Sequence, residues 1–375
     1  MSPTNRLLIQ IVPQLKPARC GVSDHALSLA RELEFAFDIG SAFVVLNSTE
    51  PCDAPFPRLY CPQAQLLDAC VSLTNGQPGS LLVHSSGYGY STDGAPFVLA
   101  EALAEVRSSG GFRIGVYFHE LFARGMPWES AFWYTRRQQQ AVRDIAKSCD
   151  LIATNMDHHA RWLNREVMPG VANPLQRLPV FSNVGEALGL PSMSPRRPAM
   201  AVFGLPGTRQ SSYRRLSRLG TMLKSLGVEE ILDIGPEFDA PRSLNGIQVA
   251  RMGVMDAADI AVLLTKSMFG FVPHPAFCLA KSGIFAGLCA FGTIPVLPVS
   301  FAGEPDGLTD GVHLLSPRTA RDASAGKLEQ CSTAAWNWYM GHRLHVHAAT
   351  YAQMLVQQPI AAATKAGVSV QAAAV

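Results

Sequence analysis

Charged residues are scarce in this chain. Asp, Glu, Lys and Arg make up 16% of its 375 residues, against about a quarter in an average soluble domain. The scarcity means either a large buried core or a surface that rests on something apolar. The charges nearly cancel, with 31 Lys+Arg against 29 Asp+Glu, so composition alone does not point to nucleic acid. Disorder is excluded by the 48% hydrophobic content, and a coiled coil by the composition. An uninterrupted apolar span is also lacking. The uncharged stretch Ser282–Gly303 is broken by Gly283, Gly287, Gly292, Pro295 and Pro298. It reads as a short helix, a turn and a short strand in a buried core, not as a membrane span.

Paired cysteines are missing as well. Cys20, Cys52, Cys61, Cys70, Cys149, Cys278, Cys289 and Cys331 form no C-x-x-C and have irregular spacings, so free thiols in a reducing compartment are expected. Met1–Pro13 has one Arg, a strand-length apolar run and no small-residue cleavage site, which predicts a cytoplasmic protein. Asn47-Ser48-Thr49 then reads as a chance match to a glycosylation acceptor. His342, His345 and His347 cluster, as do His158 and His159, but no carboxylate joins them. They read as solvent-facing helix residues, and no metal is expected. G-x-S-x-G and H-E-x-x-H are absent.

What is present is an alternation of short apolar runs and helical patterns. Strands are expected at Leu7–Val12, Phe43–Leu46, Leu81–His84, Arg113–Phe118 and Leu151–Thr154. Helices are expected near Ser23–Phe35, with Ser23 as N-cap, and at Phe97–Val106 and Tyr134–Lys147. Gly and Pro crowd the segment Glu186–Pro198, which reads as a linker. A second series follows. Its strands are Met200–Phe203, Glu230–Ile234, Met268–Val272 and Ile294–Leu297. Its helices are Tyr213–Leu226, Asp256–Lys266, Ser282–Ala290 and a last stretch near Ala335–Leu355. Strands spaced by helices make β-α-β units and parallel sheets. The expectation is an N-terminal α/β domain over 1–187, a linker over 188–198, a C-terminal α/β domain with the terminal helix over 199–350, and a disordered tail over 360–375.

In open α/β sheets ligands bind beyond the carboxyl ends of strands, so the loops there are the candidates. Gly21-Val22-Ser23 opens a helix, where unpaired N–H groups suit phosphate; an ordinary capped Gly turn fits equally well. His119 and Glu120 follow a strand, as does Ser85-Ser86-Gly87-Tyr88-Gly89-Tyr90, whose tyrosines offer flat faces for a sugar or lipid. In the second half Arg209, Arg214, Arg215 and Arg218 follow a Gly-rich loop. Arg forks suit phosphate oxygens, although Arg215 and Arg218 read better as a solvated helix face. Lys281-Ser282-Gly283 opens an apolar helix and makes a diphosphate cradle without a Walker motif.

Several segments, in this order and spacing, resemble one family. They are His84–Tyr90, Tyr117–Ala123 with Pro127-Trp128, Phe181-Ser182-Asn183-Val184-Gly185-Glu186, Ala280–Ala286 and Gly292-Thr293-Ile294-Pro295-Val296. The chain resembles GT-B glycosyltransferases, in particular the retaining enzymes of glycosyltransferase family four, over about residues 7–350. The resemblance implies an α/β GT-B fold of two Rossmann-like domains facing across a cleft. It implies a nucleotide-sugar donor held mainly by the C-terminal domain and an acceptor approaching from the N-terminal one. His119 would be the catalytic His beside the donor sugar. Gly21, Val22, Arg209, Arg214, Lys281, Ser282 and Gly283 would bind the donor. His84, Tyr88, Glu120 and Trp128 would lie on the acceptor side. Transfer would retain configuration, need no metal or other cofactor, and use a glycan, lipid-linked or small-molecule acceptor, with a possible peripheral contact at the inner face of a membrane. One departure stands out. The two glutamates usual in that family fall, counting back from Gly292, at Leu279 and Gly287. A non-catalytic sugar-nucleotide or glycan binder is therefore the alternative, with a nucleotide-sugar epimerase behind it.

Overall fold

The computed structural model describes residues 6–15, 20–48, 53–123, 128, 130–169 and 175–357. The expected disordered tail lies outside them. Two sheets carry the described chain. The first is built from β1 (Arg6–Val12), β2 (Ile39–Val45), β3 (Arg58–Tyr60), β4 (Gly79–Ser85), β5 (Phe112–Phe118), β6 (Leu151–Thr154) and β7 (Leu175–Arg177). Its order is β3-β2-β1-β4-β5-β6-β7, with every pair parallel. The second uses β8 (Arg197–Phe203), β9 (Glu230–Ile234), β10 (Ser243–Leu244), β11 (Ile247–Gly253), β12 (Ser267–Phe271) and β13 (Ile294–Val296). Its order is β10-β11-β9-β8-β12-β13, parallel except for β10.

Parallel pairs need crossover connections, and here helices supply them on both faces. The strands accordingly read as continuous apolar runs: five consecutive residues of β1 and six of β4 are buried. This accounts for much of the missing charge. Strand order reverses between β1 and β4 in the first sheet, and between β8 and β12 in the second. Such reversals open a crevice at the carboxyl ends of the strands.

Three local expectations differ from the structure. Ser23 is not the N-cap of the first helix, which begins at Gly21 after Cys20. Its hydroxyl instead donates to the Gln14 carbonyl at 3.0 Å. The helix expected over Tyr213–Leu226 is two helices, Pro206–Leu216 and Gly220–Ser225, because the Asn245 amide takes the Leu216 carbonyl at 3.1 Å and ends the first. The terminal stretch is also divided, into Ala325–Met340 and Leu344–Tyr351. The Glu186 carboxylate accepts from the Leu344 N–H at 2.7 Å and from the Tyr339 hydroxyl at 2.5 Å.

That division carries the chain back to the first sheet. Ser80 on β4 donates to the Leu355 carbonyl at 2.8 Å, and the Leu355 side chain occupies the notch above Gly115 on β5. A Cβ at Gly115 would meet it at 2.8 Å. The second half thus ends on the first. The Gly/Pro-rich segment before β8 is pinned by the buried Arg196 guanidinium, which donates to the carbonyls of Pro191, Ser267, Phe291 and Gly292.

Candidate active-site cleft

His119 follows β5 directly, and its N–H donates to the Ser85 carbonyl at 2.9 Å. The β4–β5 ladder therefore sets where the ring stands. Its Nε2 lies 3.3 Å from His84 Nδ1, and His84 Nε2 lies 2.8 Å from Gln10 Oε1. Gln10 Nε2 donates to Ser41 Oγ at 3.2 Å, which turns its Oε1 toward His84. His84 then carries its proton on Nε2 and presents the Nδ1 lone pair. His84 is fully buried, so it stands behind His119 and not on an acceptor-facing surface. His25, from the first helix, is stacked between Tyr117 at 4.9 Å and Phe181 at 4.1 Å, and its Nε2 has no partner among the described residues. Burial holds His25 and His119 well below the usual histidine range and pushes His84 down to about 3. All three rings are neutral at neutral pH.

The second half meets this floor at Lys281. Its Nζ lies 2.9 Å from Glu120 Oε1, an ion pair joining the two halves across the cleft. The helix Gly283–Ala290 starts two residues later, capped by Ser282, whose Oγ accepts from the Phe285 N–H at 3.2 Å. The same hydroxyl lies 2.8 Å from His274 Nδ1. Ser282 is thus buried and its hydroxyl occupied, so its contribution is to hold the helix start, not to grip a phosphate itself. Gly283 is partly open; a Cβ there would lie 3.6 Å from the Asn183 amide nitrogen. Burial lowers the His274 pKa, and the charges of Lys281 and Arg215 lower it further.

Arg209, expected to face phosphate, does not. It is 1% exposed; Nη1 pairs with Asp233 Oδ2 at 2.7 Å, Nη2 donates to the Pro236 carbonyl, and the guanidinium lies over the Phe238 ring. Its charge is consumed inside the second half. Arg214 and Arg215 are exposed and line a surface depression with Arg218 and Pro298. Gly21 is exposed at the start of its helix, with room for a Cβ, and Val22 is partly buried. Trp128 is 77% exposed.

Between the halves lies a cavity of about 300 Å³, lined by Tyr88, Glu120, Gln138, His158, Trp162 and Lys281 among others. Gln138 fixes one wall by donating to the Tyr88 hydroxyl at 3.1 Å and to the Asp93 carbonyl at 2.7 Å. The segment Phe181–Glu186 is the crossing between the sheets: Phe181 covers His25, Ser182 N–H donates to the Tyr339 hydroxyl, and Glu186 holds the terminal helix. Leu279 is buried, and a Cβ on Gly287 would lie 3.2 Å from Val184 Cγ2 and 3.5 Å from Phe203 Cζ. Both positions are packing positions, where a carboxylate would be buried among apolar side chains. The expectation of solvent-facing histidines fails at His159, His342 and His347, which are all buried; His345 is exposed and pairs with Glu32.

Two parallel sheets, facing strand ends and a C-terminal helix that returns to the first sheet together match solved structures over nearly the whole chain. An alpha-glucosyltransferase in complex with UDP is 13% identical, with a TM-score of 0.56 over 90% of this chain and 96% of its own. The fold is GT-B. A UDP-forming α,α-trehalose-phosphate synthase from Burkholderia xenovorans, in complex with glucose-6-phosphate, shares this GT-B arrangement at 13% identity. Its TM-score is 0.54, over 93% of this chain and 99% of its own. So does a putative UDP-N-acetylglucosamine 2-epimerase from Listeria monocytogenes at 11% identity, with a TM-score of 0.55 over 92% and 96%. No family model and no curated protein sequence matches the chain. No helix among the described residues is long and apolar enough to cross a membrane.

Proposed function

We propose that this GT-B chain is a glycosyltransferase that moves a sugar from a nucleotide-sugar donor to an acceptor hydroxyl. The observation that carries the reading is the cleft itself: Lys281 of the second half pairs at 2.9 Å with Glu120, the residue after His119, beyond the end of β5. The donor diphosphate takes the place of the Glu120 carboxylate on Lys281. The start of the helix Gly283–Ala290 adds N–H groups that have no intrahelical partner. The donor sugar then rests on His119, whose orientation is set by the Ser85 carbonyl and the rings behind it.

In the reaction the bond between the anomeric carbon and the diphosphate oxygen breaks, and the electron pair leaves on the diphosphate. Lys281 stabilises that charge as it develops, in a cleft that partly excludes water. The acceptor oxygen forms the new bond and its proton passes to the departing diphosphate. With no carboxylate placed at Leu279 or Gly287, attack on the face the diphosphate leaves, with retention, is the reading proposed. The acceptor occupies the cavity beside Tyr88 and Trp162. The neighbouring exposed aromatics Trp128, Phe132, Trp133 and Tyr134 support a lipid-linked acceptor presented at a membrane surface.

The test is incubation of the full chain with a panel of nucleotide sugars and acceptors, with product read by mass spectrometry. Transfer that survives in both His119→Ala and Lys281→Ala contradicts the site. Binding of a nucleoside diphosphate without turnover of any donor supports the non-catalytic reading, which the apolar residues at 279 and 287 favour. Conversion of a donor without acceptor points to an epimerase.

A further inference from the structure

Behind the floor of the cleft, the ligand-type nitrogens of His25, His84 and His119 lie within 4.8 Å of one another. They come from three different elements: the first helix, β4 and the residue after β5. The contact between His84 Nδ1 and His119 Nε2 is 3.3 Å. That is about the edge expected between two nitrogens each ~2.0–2.1 Å from one tetrahedral zinc. Gln10 holds the far nitrogen of His84 and so fixes the tautomer that leaves Nδ1 unprotonated, as an acceptor toward His119 Nε2. A carboxylate, backbone carbonyl or water is the usual outer support of a metal-bound imidazole, and the Gln10 carboxamide oxygen is an acceptor in that position. Among the described residues, His25 Nε2 is buried without a hydrogen-bond partner, and so is Nδ1 of the adjacent His347, whose Nε2 is tied to the Pro179 carbonyl. Buried polar atoms are nearly always satisfied, so two orphan nitrogens in one cluster of rings call for a guest.

We infer that His25, His84 and His119 form a three-histidine site for a divalent transition metal, with zinc as the best match. Three neutral imidazoles are the donor set that suits zinc, and a site with three protein ligands keeps a fourth position open. His119 is the one ligand of the three that is not fully enclosed, which puts the open position on the cleft side. A metal there locks the three rings and holds His119 in place. This departs from the sequence-based expectation of no metal. It stands on the geometry alone and does not depend on the transfer reading.

The experiment is equilibrium dialysis of the chelator-stripped full chain against zinc(II) alone, with metal measured by elemental mass spectrometry. One zinc per chain is expected, retained in His158→Ala and His345→Ala, whose rings lie outside the cluster. His84→Gln lowers the affinity by at least about 100-fold and Gln10→Leu by about 10–100-fold, the range for loss of an outer partner. Cobalt(II) gives an intense visible absorption typical of a four-coordinate site in the wild type and loses it in His84→Gln. Circular dichroism confirms that each variant is folded; Gln10→Leu keeps the test available if His84→Gln does not fold. Less than stoichiometric zinc on folded wild-type protein, as a buried water satisfying these nitrogens would give, overturns the inference. So does binding that neither variant changes.

Discussion

Lys281 and Glu120 meet across the cleft at 2.9 Å, one residue from each half of the chain. Both side chains are partly exposed, so the pair contributes only about 0–1 kcal/mol to stability. Its meaning is positional. In the proposed reading the carboxylate holds the site of the donor diphosphate until the donor arrives. Glu120→Gln removes this competitor and is expected to tighten nucleoside diphosphate binding a few-fold. Lys281→Ala is expected to weaken it at least tenfold, with the melting temperature of both variants near wild type. Calorimetric titration of each variant measures this.

Arg209 is a buried, paired cation and Arg215 an exposed one. Removing Arg209 leaves the Asp233 charge buried with only the Tyr213 hydroxyl to donate to it, and breaking a buried pair costs about 3–5 kcal/mol. Arg209→Ala is therefore expected to lower the chemical-denaturation midpoint sharply. The double variant Arg209→Met with Asp233→Leu recovers much of that loss. Arg215→Ala is expected to leave the midpoint unchanged and to weaken nucleoside diphosphate binding. A reversed pattern would place Arg209 in the donor site.

Gly287 is a close-packing glycine between Val184 and Phe203. Gly287→Ala is expected to cost about 1–3 kcal/mol as overpacking, and Gly287→Glu more, because the carboxylate is also buried. Thermal melts check this. A Gly287→Glu protein as stable as wild type would mean that the helix has space for the carboxylate that the sequence lacks.

His342 ties stability to pH. Burial, with the charges of His347 and Arg177 behind it, holds its pKa well below the usual range, while the unfolded chain titrates near 6.5. Below that value the unfolded state takes up a proton that the folded state refuses. The contribution is fully present above about pH 6.5 and is lost as pH falls, by about 1 kcal/mol per pH unit. His342→Phe is expected to flatten this acid limb when urea midpoints at pH 7 and pH 5 are compared.

The strands were legible because burial on both faces leaves near-continuous apolar runs; Leu151–Thr154 is read residue for residue. The short edge strands β3 and β7 were not, since each pairs on one side only and carries an Arg in three residues. The helix Asp157–Glu166 hid in a polar stretch, with Trp162 and Leu163 as its buried apolar residues. In the cleft, the loops after β5 and β12 were located from strand ends alone. Which arginine is free was not, because the partner that buries Arg209 is Asp233, delivered by β9 24 residues further on. The histidine cluster escaped for the same reason. Linear spacing grouped His342 with His345, whereas the first helix and the ends of β4 and β5 gather His25, His84 and His119 from positions far apart.

The central claim is tested most directly by titrating the full chain with a panel of nucleoside diphosphates, wild type beside Lys281→Ala. The account predicts that at least one of them binds the wild type and that its affinity falls at least tenfold in the variant. Absence of binding by every member of the panel, or binding that ignores Lys281, would contradict it.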